Sequence, residues 1–187
     1  MIENPNFSGV IAPVLTPFGE DGDPDPARFT EHAEWLLDQG GCTALAPFGT
    51  TSEANSLGHD ERMDLLEDLV EAGIDPANLM PGTGTCSLAD TVTLTQHAVD
   101  IGCGGVLMLP PFYYKAPSDD GLFQYFSEVI DEIDDDRLRV YLYHIPPISQ
   151  VGFSLDLIDR LRKEFPEVVV GLKDSSGDWS NMQAILE

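Results

Sequence analysis

The chain has 187 residues, 42% hydrophobic and 22% charged, the proportions of one globular domain with a sizeable core rather than of a disordered chain. Its 33 acidic and 9 basic residues leave a formal net charge of −24, which repels nucleic acid and anionic membranes as partners. No run of about 18 apolar residues occurs, and the opening Met1-Ile2-Glu3-Asn4-Pro5-Asn6 lacks the basic region and apolar stretch of a signal peptide, so a cytoplasmic protein is expected.

Six short apolar runs recur along the chain: Gly9 to Thr16, Thr43 to Phe48, Leu79 to Gly84, Gly105 to Pro110, Val140 to His144 and Val168 to Lys173. They are too short for helices and alternate with amphipathic stretches, the pattern of repeated βα units. Helices are predicted over 27–39 after Asp25-Pro26, 61–72 after Gly58-His59-Asp60, 88–101 after Ser87, 119–133 after Ser118 and 155–164 after Ser154, with a sixth beginning at Trp179. In the first, Phe29, Ala33, Leu36 and Leu37 share one face while Glu31, Glu34 and Asp38 fall elsewhere.

Strict alternation fits either an open doubly wound sheet or part of an α/β barrel. Pro13-Val14-Leu15-Thr16-Pro17-Phe18 after the first strand is no glycine-rich nucleotide turn, which favours a (β/α)8 TIM barrel. Such a barrel takes about 250 residues, so the expectation is a single barrel domain over 1–187 holding about the first six βα units and truncated before the last two. Acids spread over ordinary amphipathic segments, rather than gathered in a tail, point to a solvated, halophile-like acidic surface.

Cys42, Cys86 and Cys103 are odd in number, form no CxxC pair and lie in or beside expected strands, so they read as small core residues rather than as a disulfide or zinc framework. His32, His59, His97 and His144 have no metal-ligand spacing, and no P-loop, GxSxG elbow or GxGxxG is present. Asp21-Gly22-Asp23-Pro24-Asp25 opens like a calcium loop but has Pro26 where Gly is required and His32 where a bidentate Glu belongs; a solvated turn is expected.

Of the three lysines, Lys115, Lys163 and Lys173, the last closes the apolar run Val168-Val169-Val170-Gly171-Leu172. At the carboxyl end of a buried strand it would point into the barrel mouth, where desolvation frees an amine to attack a ketone; a structural salt bridge to Asp174 or another barrel acid serves the position equally well. Tyr143 ends the preceding strand and could shuttle protons on the same rim, or could be a core tyrosine; Tyr141 has the same parity one layer deeper. Gly49-Thr50-Thr51-Ser52-Glu53 follows the second strand, offering N–H groups and hydroxyls to a carboxylate, or else capping a helix.

Gly49-Thr50-Thr51-Ser52-Glu53, Gly82-Thr83-Gly84, Pro110-Pro111-Phe112-Tyr113-Tyr114, Tyr143-His144-Ile145-Pro146 and Gly171-Leu172-Lys173-Asp174 stand in the order seen in the dihydrodipicolinate synthase/N-acetylneuraminate lyase family, which the chain resembles from Gly9 onward. The resemblance implies an eight-fold barrel in which Lys173 forms an imine with pyruvate or a related 2-oxo acid. It implies proton transfer by Tyr143, and carboxylate binding and a proton relay by Thr50 and Thr51 at the turn opened by Gly49. Tyr113 matches an aromatic residue that reaches into a neighbouring subunit, implying a homotetramer of paired dimers. No cofactor is called for, since the imine is itself the electron sink.

Three departures from the family pattern bear on substrate. Ile148 stands where dihydrodipicolinate synthases carry an arginine that grips aspartate semialdehyde, so a carboxylate clamp is missing. Ser52 replaces the usual Gly and His144 the common Asn, so the acceptor pocket is expected to differ on two sides. With the Pro-Phe-Tyr-Tyr-Lys run, these imply a class I aldolase acting on pyruvate and a neutral aldehyde, cleaving a 2-keto-3-deoxy sugar acid. The alternatives are a 4-hydroxy-tetrahydrodipicolinate synthase with its clamp supplied elsewhere, a dehydratase using the same imine, and a non-catalytic fragment of a barrel.

Overall fold

The computed structural model describes residues 7–187; the opening hexapeptide, read as carrying no signal peptide, lies outside the described residues. Strands and helices alternate: β1 (Ile11–Pro13), α1 (Pro26–Asp38), β2 (Ala44–Ala46), α2 (His59–Glu71), α3 (Leu88–Ile101), β3 (Val106–Met108), α4 (Asp119–Ile133), β4 (Val140–His144), the single turn α5 (Pro146–Ser149), α6 (Leu155–Glu164), β5 (Val169–Asp174) and α7 (Trp179–Leu186). Short 3-10 turns occupy Ala54–Ser56 and Pro76–Asn78. This is an α/β chain, and each predicted helix begins within two residues of its expected start. Among the described residues no helix is long and apolar enough to cross a membrane.

The starts are set by local chemistry. The Asp25 side chain accepts from the Arg28 N–H with Pro26 in the first turn, and the Ser118 and Ser154 side chains accept from Gly121 and Leu157. Each satisfies an N–H that the helix cannot pair internally. At α2 the glycine cap has no side chain, and the Glu61 carboxylate accepts from the Gly58 N–H at 2.6 Å instead.

The chain forms two compact units. The first comprises the described residues up to Gly82 together with 97–106. Its β1 and β2 pair in parallel, Ile11 with Ala44 through Pro13 with Ala46. The segment from Leu79 continues alongside β2, with a parallel bridge from Leu45 to Leu79 and bonds from Met80 N–H to Leu45 and from Gly82 N–H to Pro47, both 2.8 Å. The expected third strand is therefore extended but forms an isolated bridge to β2 rather than a regular ladder. Phe29 and Ala33 of α1 and Leu65, Leu66 and Leu69 of α2 are buried with Leu45 and Leu79 in this unit's core, while Leu36 and Leu37 are only half-buried. The acidic turn after β1 folds back on itself, Gly19 N–H to Asp23 at 2.8 Å and Asp25 N–H to Pro17 at 2.9 Å.

The second unit comprises residues 83–96 and 107–187. The sheet that β3 enters has the order β3-β4-β5. β4 and β5 are parallel, with Tyr141 opposite Gly171, Tyr143 opposite Lys173 and His144 opposite Asp174. Helices α4 and α6 pack together, burying Leu122, Phe126, Val129, Ile130 and Ile133 from one and Leu157 and Leu161 from the other, the spacing of one apolar helix face. A chain of hydroxyls ties α3 to α4: Thr85 to Thr91 at 3.0 Å, Thr91 to Tyr125 at 2.7 Å, and Tyr125 to the Thr85 carbonyl at 3.0 Å. Burial pushes the Tyr125 phenol up to about 12 and so keeps its proton in that network.

Two expectations need correction. The strand carrying Lys173 is not fully buried: in β5 only Val169 is, and the next five residues are half-buried, because β5 is an edge of the sheet among the described residues. The three cysteines are free and half-buried rather than core residues, although burial pushes the Cys103 thiol up to about 12.

The charge of −24 sets an expected salt response. Added salt shortens the screening length from about 10 Å at 0.1 M to about 3 Å at 1 M, so repulsion among exposed carboxylates should fade. The melting temperature followed by circular dichroism should rise by on the order of 5 °C between 0.1 M and 2 M KCl; an unchanged midpoint would mean that surface repulsion does not limit stability.

Candidate active site

In parallel strands with aligned register, side chains at paired positions leave the sheet on the same face, and the next pair leaves on the other. Tyr143 and Lys173 form one such pair and His144 and Asp174 the next. The Lys173 ammonium accordingly lies 4.4 Å from the centre of the Tyr143 ring, in cation–π contact. Tyr143 is 3% exposed and Lys173 half-buried. One position deeper, Gly171 makes room for Tyr141: a Cβ there would come within 2.5 Å of that ring. The Asp174 carboxylate accepts instead from the Ser176 N–H at 2.7 Å and the Asn181 side-chain amide at 3.1 Å, so the alternative of a Lys173–Asp174 salt bridge is not the arrangement found. The front face thus joins an amine, an aromatic ring and a phenol, with the Asp174 carboxylate turned to the other face.

The turn holding Gly49, Thr50 and Thr51 belongs to the first unit. Gly49 is buried, and Thr50 and Thr51 are exposed. Its entry and exit are both left-handed, Phe48 at φ 58° and Glu53 at φ 54°, a conformation costing about 1–2 kcal/mol in a non-glycine residue. Packing holds Phe48 there. Its ring stacks on Phe29 at 5.8 Å and under the Arg62 guanidinium at 6.0 Å, and Gly82 passes so close that a Cβ would meet the Phe48 carbonyl oxygen at 2.1 Å. The 3-10 turn that follows has Glu53 as its cap residue, without a side-chain cap bond from it.

Sequence reasoning missed Arg62. It is buried, donates from Nη2 to the Gly82 carbonyl, and has a pKa lowered to about 10 by desolvation. Among the described residues its Nε–H has no partner. The only sequence signal was the arginine itself on the apolar side of an amphipathic helix, with Leu65, Leu66 and Leu69.

Ser52 and His144 correct an expectation. The Ser52 side chain is wholly buried and donates to the Val14 carbonyl, while the Thr16 hydroxyl donates to the Ser52 carbonyl at 2.8 Å. His144 is 5% exposed and accepts at Nδ1 from the Phe153 N–H at 3.0 Å. Both side chains support the backbone beneath strand ends rather than lining an open pocket. Burial lowers the His144 pKa, opposed in part by Asp174. Burial would raise Asp174, but hydrogen bonds from Ser176 and Asn181, with His144 nearby, outweigh it and hold that carboxyl below its ordinary value.

Tyr113 is 73% exposed, its ring edge-on to Tyr114 at 5.2 Å and its N–H 3.3 Å from the Cys86 sulfur. In the same loop, the Lys115 ammonium donates to the carbonyls of Phe112 and Ser149, the latter at 3.1 Å. Ile148, beside Ser149, is 63% exposed. The structure thus brings Lys173 and Tyr143 together in one unit and Gly49, Thr50 and Thr51 together in the other.

Parallel βα units with a strand-end lysine over a tyrosine define an α/β chain of one recognisable class. It belongs to the dihydrodipicolinate synthetase family, whose model matches residues 6–187. The chain is 35% identical over 179 residues to an uncharacterised DapA-like lyase of Chloroflexus aurantiacus, covering 96% of this chain and 59% of that protein. It is 34% identical over 171 residues to the 4-hydroxy-tetrahydrodipicolinate synthase of Rhizobium meliloti, covering 91% and 56%. Among solved structures, dihydrodipicolinate synthase from Agrobacterium tumefaciens superposes with a TM-score of 0.92 at 38% identity, over 95% of this chain and 62% of that one. YagE, a prophage protein of E. coli K12 solved with pyruvate, does so with 0.86 at 27% identity, over 97% and 60%. The chain thus spans somewhat under two thirds of the length of these relatives.

Replacing Arg62 tests the support of the turn. Arg62→Ala removes a charge-assisted bond and strands the Gly82 carbonyl, so unfolding free energy from urea titration should fall by about 2–3 kcal/mol. A loss below about 1 kcal/mol would show that Phe48 holds its conformation without the guanidinium.

Proposed function

We propose that the chain carries the imine-forming part of a pyruvate-dependent class I lyase, and the observation that carries this is the Lys173 ammonium 4.4 Å above the Tyr143 ring. In this reading the neutral amine adds to the C2 ketone of a 2-oxo acid. Tyr143 returns protons to the oxygen that departs as water, and the resulting iminium draws electrons from the C3–C4 bond. The Tyr143 phenolate left by that proton transfer takes the C4 hydroxyl proton as the bond breaks, releasing an aldehyde and leaving an enamine, which Tyr143 protonates at C3 and water hydrolyses to pyruvate and the free amine. Thr50 and Thr51, exposed on a turn whose backbone is held in advance, are assigned to the substrate carboxylate. YagE, bound to pyruvate in its own structure, supports that choice of 2-oxo acid. The whole enzyme is proposed to be a cytoplasmic homotetramer in which the exposed Tyr113 meets a neighbouring subunit, and to need no cofactor.

For the second substrate, Ile148 in place of an arginine favours a neutral hydroxylated aldehyde, hence cleavage of 2-keto-3-deoxy sugar acids. Loss of a charge-assisted pair costs about 1.5–3 kcal/mol in recognition of an acidic aldehyde. A second reading, 4-hydroxy-tetrahydrodipicolinate synthase, is favoured by the relatives bearing that name. It also has a candidate cation in Lys115, which bridges Phe112 to Ser149 beside Ile148.

Incubation with pyruvate and borohydride, followed by peptide mass spectrometry, should give a pyruvyl adduct on Lys173 that Lys173→Ala abolishes; an adduct-free, folded protein would defeat the imine reading. The substrate choice is tested by Lys115→Ala. On the aldolase reading, pyruvate release from 2-keto-3-deoxygluconate changes less than about threefold, since no charge pair is lost. If aspartate semialdehyde is the true acceptor, its KM should rise at least about tenfold, the worth of one charge-assisted bond.

A further inference from the structure

We propose that His144 is a positioning residue for the imine centre: from the opposite face of the sheet it clasps the ends of β4 and β5 and so holds Tyr143 beneath Lys173. The inference rests on the lyase reading above. Strand alternation places His144 and Asp174 immediately behind Tyr143 and Lys173. What they bind behind the sheet therefore sets where the front pair stands.

His144 binds two segments, and a third comes close to its ring. Its Nδ1 accepts from the Phe153 N–H at 3.0 Å, fixing the stretch that follows α5. Its ring meets Phe153 at 6.3 Å between centroids, and Gly152 is needed at that approach, since a Cβ there would lie 2.9 Å from the imidazole Cε1. Its carbonyl accepts from the Ser175 N–H at 2.8 Å, tying the residue just beyond β5 back to β4. The Asn181 amide nitrogen of α7 lies 3.5 Å from Nε2 and donates to the Asp174 carboxylate at 3.1 Å.

An Nδ1 that accepts from a backbone N–H cannot carry the ring proton, so the neutral imidazole is protonated on Nε2. That nitrogen faces the side held by Asn181 and Asp174. The clasp thus requires one tautomer of one neutral ring. β5 gains most from it, being a half-buried edge strand that pairs with β4 alone among the described residues. Asparagine could replace the acceptor, since its amide oxygen can take the Phe153 N–H; alanine could not.

The test compares His144→Ala and His144→Asn in the pyruvate–borohydride reaction, followed as the rate of Lys173 adduct formation against pyruvate concentration. Thermal melts check that each variant is folded. His144→Ala should lower the saturated rate about tenfold with the half-saturating pyruvate concentration changed less than twofold, and His144→Asn should restore the rate to within about threefold; about tenfold corresponds to 1.4 kcal/mol of lost positioning. Nitrogen NMR of the unsubstituted chain supplies a readout independent of any variant's folding. The His144 ring should carry its proton on Nε2 alone at neutral pH, and an Nδ1–H ring would overturn the clasp. A folded His144→Ala variant with an unchanged saturated rate, or an asparagine variant as slow as alanine, would overturn the inference while leaving the lyase reading intact. No adduct even in the unsubstituted chain would overturn both.

Discussion

The aligned parallel register of β4 and β5 is the constraint on which the candidate site depends. Because side chains alternate with period two, one pairing decides four positions at once: Tyr143 with Lys173 on one face, His144 with Asp174 on the other. A slip of β5 by one residue would send the amine to the face of His144 and Phe153 while Tyr143 stayed on the other. The irregularity between Val140 and Tyr141 takes up an extra residue before the site, so that the last four pairs run in step. Gly171 is part of the same device, because the Tyr141 ring occupies the space a side chain there would need.

The turn of Gly49, Thr50 and Thr51 is held by a different means. Its geometry is forced through Phe48, an aromatic residue in a conformation that glycine adopts more readily. The cost is offset by burial, by stacking on Phe29 and by the Arg62 guanidinium, which faces the Phe48 ring and the Gly82 carbonyl together. A glycine at 48 would relieve the strain but lose the anchor that the Phe48 ring gives the threonine-bearing turn. Ser52 completes the support from the other side through the Val14 carbonyl.

Much of this was legible in the residues. Helix starts followed from Asp25-Pro26, Ser118 and Ser154, where side-chain chemistry is local and short-range. The pairing of Tyr143 with Lys173 followed from two strand ends of equal parity. What could not be read was tertiary. Nothing in the run Leu79 to Gly84 announced that it would meet β2 by an isolated bridge, and nothing in Phe48 announced a left-handed backbone. Arg62 looked like one more charge on a helix because its partner, the Gly82 carbonyl, is twenty residues away. His144 was seen as a change in a motif, and its place behind the sheet emerged only with Phe153, Gly152 and Asn181 around it. Half-burial of β5 likewise depends on which strands flank it, and apolar content alone does not report that.

The lysine inventory has a chemical consequence. Surface amines condense with aldehydes indiscriminately, and a chain built with acids at its surface has few of them: besides Lys173 there are only Lys115 and Lys163. Lys115 is engaged by two backbone carbonyls and Lys163 by the Asp159 carboxylate. Such a surface offers few side-chain amines to adventitious glycation, three in these 187 residues.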